Sequence, residues 1–204
     1  GVDPENGNPL WYMDILDKDD NVVGRGTTSV YKDATDYFVN KSSLPKVYGG
    51  FNTSFSYKGV ELSAIFAYSV GGYIMNRDIT MILHNGSSAG RAWSKEILNR
   101  WTPENRYTDV PALSTTSNNW NSASTRFLQN NSYMRLKNLT LSYNLPKQLI
   151  SKLALSSVQV FVQGDNLFTI HRNQGLDPEQ GITGITYYRY PAMRTISGGI
   201  NLSF

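Results

Sequence analysis

From Val47 to Tyr57 the chain alternates strictly. Val47, Gly49, Phe51, Thr53, Phe55 and Tyr57 take the odd positions, with Gly50, Asn52, Ser54 and Ser56 between them. A period of two places one residue class on each face of a strand. Lys58-Gly59 is a tight-turn pair, and the phase resumes with Val60, Leu62, Ala64, Phe66, Tyr68 and Val70, predicting a hairpin. A second pair follows. Between Tyr133 and Asn144, Leu139, Leu141 and Tyr143 oppose Asn138, Thr140, Ser142 and Asn144, and Pro146 ends the run. Residues 147–157 make a short connector with one helical turn, after which Val158, Val160 and Val162 alternate with Gln159 and Gln163. In the last run Ile196, Gly198, Ile200, Leu202 and Phe204 share one face, and Ser197, Gly199, Asn201 and Ser203 the other. Each of these five runs is near the roughly 9–11 residues that a tilted strand needs to cross a bilayer.

Soluble antiparallel sheets alternate as well, so the membrane reading draws on three further features. The polar face is Asn, Ser, Thr and Gln rather than charge, which suits a wall around a hydrated interior. Tyr57, Tyr68, Tyr73, Tyr133 and Tyr143 sit near strand ends, where an interfacial girdle places them. Short connections also alternate with long ones, and compact soluble domains rarely carry loops of this length. The expected fold is therefore all-β, a transmembrane antiparallel β-barrel segment with long extracellular loops. Residues 1–46 form an extracellular loop region, 47–73 a transmembrane hairpin and 74–132 a long extracellular loop. Residues 133–167 form a strand pair with a periplasmic connector, 168–190 a further extracellular loop and 191–204 the last strand. Within the long loop, Trp93, Ile97, Leu98 and Trp101 have helical spacing across Arg91 to Trp101, and Pro103 closes it. Ser114 to Ser124, with Trp120 inside it, reads as irregular. One short repeat, Gly1-Val2-Asp3-Pro4-Glu5-Asn6-Gly7 against Gly175-Leu176-Asp177-Pro178-Glu179-Gln180-Gly181, predicts two Pro-centred turns.

Composition narrows the classes. The 204 residues are 40% hydrophobic but only 17% charged, with 13 Tyr, 8 Phe and 4 Trp. A net charge of +3, without any Lys/Arg run, lacks the electrostatic footprint of a nucleic-acid binder. The absence of Cys removes disulfides, thiolate metal sites and Cys nucleophiles. No apolar stretch reaches the ~20 residues of a spanning helix, which a β-barrel would not show anyway. The opening Gly1-Val2-Asp3-Pro4 has neither an initiator Met nor a signal segment, and reads as a boundary inside a longer chain.

Several blocks in one order carry a resemblance. They are Leu44-Pro45-Lys46-Val47-Tyr48-Gly49-Gly50-Phe51-Asn52, Arg100-Trp101-Thr102-Pro103-Glu104-Asn105, Tyr133-Met134-Arg135-Leu136-Lys137-Asn138-Leu139-Thr140-Leu141-Ser142-Tyr143, Gly164-Asp165-Asn166-Leu167-Phe168, and Tyr190-Pro191 through Gly198-Gly199-Ile200-Asn201-Leu202-Ser203-Phe204. In these the chain resembles the C-terminal portion of SusC/RagA-type TonB-dependent outer-membrane transporters, over nearly its whole length. The resemblance implies a barrel of about 22 strands around a plug, of which this chain supplies the last five. It also implies import of oligosaccharides or peptides with a SusD-like surface lipoprotein, driven by an inner-membrane TonB complex acting through the plug. Ile200, Leu202 and Phe204 then resemble the signal read by the barrel-assembly machinery. No cofactor, metal or enzymatic activity is implied.

The remaining constellations weigh against catalysis. Gly86-Ser87-Ser88-Ala89-Gly90 fits a nucleophile-elbow pattern with His84 and His171 available, but that pattern needs a strand entering and a helix leaving. A flexible Gly/Ser loop is the default. Asp177 and Glu179, two apart in a Pro turn, are expected to be splayed or solvated rather than a glycosidase pair. Asp3, Glu5, Asp17, Asp19 and Asp20 lack EF-hand spacing and read as a solvated acidic loop. The candidates for contact with substrate or the lipoprotein lid are Trp93, Trp101, Tyr107, Asn118, Asn119, Trp120 and Asn121, with Trp93 and Trp101 better suited to packing. Arg135 and Lys137, in phase with Leu139, are expected to face outward toward lipopolysaccharide phosphates. The rival readings are a soluble β-sandwich carbohydrate-binding module, a Ser88 hydrolase, and a porin or autotransporter barrel.

Overall fold

The computed structural model describes residues 1–151, 155–173, 175, 177–179, 181, 183–186 and 188–204. Its strands are β1 (Trp11–Leu16), β2 (Val22–Thr28), β3 (Val47–Tyr57), β4 (Val60–Val70), β5 (Tyr73–Asn76), β6 (Leu128–Asn130), β7 (Tyr133–Asn144), β8 (Ser157–His171), β9 (Ile185–Thr186) and β10 (Thr195–Ser203). Two short α-helices, α1 (Arg77–Ile82) and α2 (Lys147–Ile150), join them. The chain divides into one unit made of Gly1–Asn40 with Asn76–Leu128, and another made of Lys41–Met75 with Gln129–Phe204.

The second unit is a five-stranded antiparallel sheet in the order β10-β8-β7-β4-β3. Lys58 (φ 48°) and Gly59 (φ 87°) close the β3–β4 hairpin with two residues of left-handed backbone, a turn whose twist matches that of its strands. The ladder pairs Phe51 with Phe66, Phe55 with Leu62, Leu62 with Leu141, Leu141 with Val162, and Val160 with Ile200. One face is thus apolar from edge to edge, with Phe51 and Phe66 stacked at 4.7 Å. Among the described residues of this unit no second layer covers that face, and Phe55, Val162, Ile196 and Ile200 are all exposed. A β-sandwich would bury them. The opposite face carries a hydrogen-bonded polar row. Asn138 donates to Asp165 at 2.8 Å, Thr140 to Asn138 at 2.7 Å and Asn201 to Gln159 at 3.0 Å.

The alternation breaks once, at Lys137. Relative to β4, Lys137 is an extra residue between Leu136, opposite Phe66, and Asn138, opposite Ile65. On β8 the same step skips from Asp165 to Phe168, and Asn166 takes a φ of 53° to make it. Such a bulge reverses which parity faces which side. Beyond it Met134 and Leu136 join the apolar face, opposite Tyr68 and Phe66, while Arg135 turns to the polar face, opposite Ala67 and Thr169. The outward orientation expected for Arg135 is corrected by this extra residue.

The strands' antiparallel order puts the 58–59 turn and the 145–156 connector, with its single turn α2, at one end. The long connections 71–132 and 172–194 leave the other end. Lys152, Leu153 and Ala154 of the expected connector lie outside the described residues, as do Leu176 and Gln180 of the repeat.

The first unit combines segments read separately in the sequence. Its hairpin β1–β2 was not anticipated, because WYMDIL lacks clean alternation. The Asp17 carboxylate organises the hairpin's turn, accepting the N–H groups of Asp19 and Asn21, each at 2.9 Å. These bonds, from Asn21 and Asp19 to the charged form, hold its pKa below the ordinary value. The 1–40 and 76–128 segments are joined by Ala112 N–H donating to the Gly7 carbonyl, Trp101 Nε1 to Pro4 and Tyr31 Oη to Ala123. Gly7 (φ 75°) lies so close to Trp101 that a Cβ would come within 2.6 Å of the indole. The core is Leu83, Ile97, Val110, Trp120 and Phe127.

Candidate functional site

The candidate surface is the polar face at the long-loop end of the second unit, where Asp177, Glu179 and Met193 meet side chains of β7 and β8. Its anchor is ionic. Arg135 is 4% exposed in its side chain and donates to Asp177 at 2.5 Å, Glu179 at 2.8 Å and the Thr169 hydroxyl at 3.0 Å. Lys137, set by the bulge, reaches Glu179 at 2.6 Å. Asp177 (7% exposed) also accepts the backbone N–H groups of Glu179 at 2.9 Å and Ala192 at 2.6 Å. Burial opposes the charge on Asp177, but these backbone N–H groups and Arg135 outweigh it and hold its pKa below the ordinary value. The expectation of solvated carboxylates is corrected for Asp177, while Glu179 stays 37% exposed. Buried guanidinium and carboxylate are satisfied by each other, which desolvation requires.

The two Asp-Pro-Glu turns are built alike. Asp3 Oδ1 accepts Glu5 N–H at 2.9 Å, as Asp177 Oδ1 accepts Glu179 N–H. The proline carbonyl of each accepts a side-chain N–H, from Trp101 at Pro4 and from Asn131 at Pro178. Two cavities flank the second turn. One, of about 280 Å³, is lined by Tyr48, Tyr68, Tyr73, Tyr133, Asn131 and Pro178 among others. The other, of about 340 Å³, lies by Arg135, Asn166, His171, Arg189 and Arg194. Sequence reading missed this site. Its one signal is the Arg135-x-Lys137 spacing matched by Asp177-x-Glu179, legible only if the bulge is known.

The loop candidates all fall in the first unit and do not converge on one surface. Trp120 is 4% exposed, its Nε1 donating to the Leu83 carbonyl, its ring edge-on to Phe127 and covered by Arg126 at 4.0 Å. Its expected contact with ligand or lid is corrected to packing, since no face of the indole remains open. Trp101 packs on Gly7. Trp93 is half exposed and donates from Nε1 to His84 Nδ1 at 3.0 Å. Asn118 and Asn121 spend their side chains on Trp120 N–H and the Thr80 carbonyl. Asn119 is exposed, with a φ of 58°, and Tyr107 is 93% exposed. The helix expected across Arg91 to Trp101 contracts to a 3₁₀ segment, Lys95–Asn99, capped by Ser94. The elbow pattern fails in context, because α1 occupies the place its strand requires. Ile200 and Leu202 are exposed on the edge strand β10, and Phe204, just past its end, is exposed as well.

No family model matches the chain. Among curated proteins it is 35% identical over 166 residues to TonB-dependent receptor P3 of Formosa agariphila, a match covering 76% of this chain and 16% of that protein. It is 30% identical over 203 residues to TonB-dependent receptor SusC of Bacteroides thetaiotaomicron, covering 98% of this chain and 18% of that one. The fold also matches the solved RagAB peptide importer in its closed-closed state, with TM-score 0.83, 35% identity, and coverage of all of this chain and 22% of that one. In the open-open state the TM-score is 0.81, with 34% identity and coverage of 21% of that chain. The chain thus spans about a fifth of the length of the proteins it matches.

Proposed function

The chain is a segment of a SusC/RagA-type TonB-dependent transporter, and from that premise we propose that it forms part of the barrel wall of an outer-membrane importer of oligosaccharides or peptides. The carrying observation is the two-sided sheet. Its apolar face runs over five strands with no charged residue in the ladder, while the other face is a hydrogen-bonded polar row. Acyl chains solvate the first, and a wet lumen or the plug meets the second. The rest of a barrel of about 22 strands pairs with the free edges of β3 and β10, and the connections at the 71–132 and 172–194 end face outward from the cell. The expected boundaries 1–46, 47–73, 74–132, 133–167, 168–190 and 191–204 belong to this proposal, with residues 1–40 and 76–128 folded together as one unit.

The transporter works with a SusD-like lipoprotein at its mouth and with an inner-membrane TonB complex through its plug. Lipid and lipopolysaccharide surround it. Tyr107, Trp93 and Asn119 are the loop residues left free to meet lid or cargo, and the tyrosine-lined cavity suits stacking against a sugar or peptide. Ile200, Leu202 and Phe204 supply the assembly signal. A gene deletion in the source bacterium tests this reading. It should abolish TonB-dependent uptake of at least one labelled pool, oligosaccharide or peptide, and the tagged transporter should co-purify from outer membranes with a lipoprotein. Unchanged uptake of both pools, or recovery from the soluble fraction, would refute it.

A further inference from the structure

We propose that the cavity bounded by Arg189 and Arg194 is a subsite for a carboxylate carried by the imported cargo, an inference that rests on the importer reading. The electrostatics begin at the floor. Arg135 and Lys137 are matched there by Asp177 and Glu179 at 2.5 to 2.8 Å, so the anchor contributes no net charge. The Asp177 oxygens are already taken by Arg135 and by two backbone N–H groups, which leaves little of that carboxylate to repel an anion. Arg189 and Arg194 line the same cavity, and among the described residues neither has an ion pair. The cavity therefore carries an unbalanced positive charge from two guanidinium groups, the side chain whose planar fork fits a carboxylate.

The segment bearing these arginines is held in place. Ala192 N–H donates to Asp177 at 2.6 Å, and Asn166 Nδ2 donates to the Met193 carbonyl at 3.2 Å, so the backbone just before Arg194 is fixed at two successive residues. Asn166 reaches Met193 from its left-handed position in the bulge, which ties the cavity to the one irregularity of the sheet. Pro178, Pro191 and Ala192 give the cavity an apolar wall. A volume of about 340 Å³ accommodates a carboxylate with the residue or sugar ring that bears it. A peptide terminus or acidic side chain, and a uronic acid in an oligosaccharide, present the same group.

The test uses the full-length transporter purified with its lipoprotein partner. It is offered four probe pools: mixed-sequence pentapeptides with free C-termini, the same pool amidated, uronate-containing trisaccharides, and their neutral carboxyl-reduced forms. Retained ligand is quantified by mass spectrometry for the wild type, for Arg189→Gln with Arg194→Gln, and for Arg189→Lys with Arg194→Lys. The expected result is preferential retention of the acid over the neutral member in one pair. That preference should fall at least tenfold in the Gln variant and be partly kept in the Lys variant. The pair showing it identifies the source of the carboxylate. Equal retention of acid and neutral forms, or an unchanged preference in the Gln variant, overturns the subsite and leaves the importer reading standing. Retention of no pool by the wild type overturns both.

Discussion

Replacing Arg135 by Met keeps an apolar stem and removes the guanidinium at the centre of the ionic anchor. The guanidinium is 4% exposed and the Asp177 carboxylate 7%, at 2.5 Å from each other. Breaking such a pair from one side costs about 3–5 kcal/mol, because the other charge stays buried without its partner. Asp177 keeps two backbone N–H donors, which puts the expectation near the lower end, about 3 kcal/mol or roughly a hundredfold in the population of the detached loop. Glu179→Gln is the internal comparison. That carboxylate is 37% exposed, so its pairs with Arg135 and Lys137 are screened and their loss should cost below about 1 kcal/mol. Trypsin reads the difference directly, since Arg172, Arg189 and Arg194 lie along the loop and cleavage follows the open population when reclosing is fast. Adding Asp177→Asn to Arg135→Met should restore part of the protection, with a departure from additivity above about 1 kcal/mol. Equal cleavage rates for Arg135→Met and Glu179→Gln, or strict additivity in the double variant, would refute the buried-anchor argument.

Acid should loosen the same anchor. The folded-state pKa of Asp177 lies below its ordinary 3.8, so its contribution is complete above that value and is lost as pH falls through the lower, folded one. Amide exchange across 172–194, corrected for its intrinsic pH dependence, should stay flat from neutrality to about pH 5 and accelerate below about pH 4; acceleration near pH 6 would implicate another group. In the first unit, Trp120→Ala removes a 4%-exposed side chain and should cost about 3–5 kcal/mol. The loss would appear as reduced exchange protection over residues 76–128. Tyr107→Ala, at a 93%-exposed position, should change the same readout by less than about 0.5 kcal/mol.

The sheet was legible because alternation and turn chemistry agree. Val47 to Tyr57, Lys58-Gly59 and Val60 to Val70 each state the same hairpin, and the structure gives β3 and β4 those bounds. What the sequence hid follows from places where that agreement fails. A single extra residue at Lys137 inverts the parity of everything before it in β7, so extrapolating phase from Leu139 put Arg135 on the wrong face. The ion cluster joins residues 42 to 44 positions apart, a distance over which no local pattern operates. The hairpin β1–β2 rests on the Asp17 side chain as much as on hydrophobic period. Trp93 and Trp101 have helical spacing, yet Pro103 and the packing of Trp101 against Gly7 leave room only for a 3₁₀ segment. Spacing proposes a helix, and tertiary contacts decide its extent.

The membrane assignment depends on which solvent meets which side of the five-stranded sheet. In the membrane-inserted transporter, cleared of any cysteine outside this Cys-free chain, single nitroxide labels can be placed at Leu62, Leu141 and Ile200, and at their neighbours Ser63, Thr140 and Asn201. Oxygen, which concentrates in hydrocarbon, should relax the first set, while a charged aqueous nickel chelate or contact with the plug should govern the second. Water-like accessibility at Leu62, Leu141 and Ile200, or occlusion of that set from both reagents, would contradict the membrane assignment.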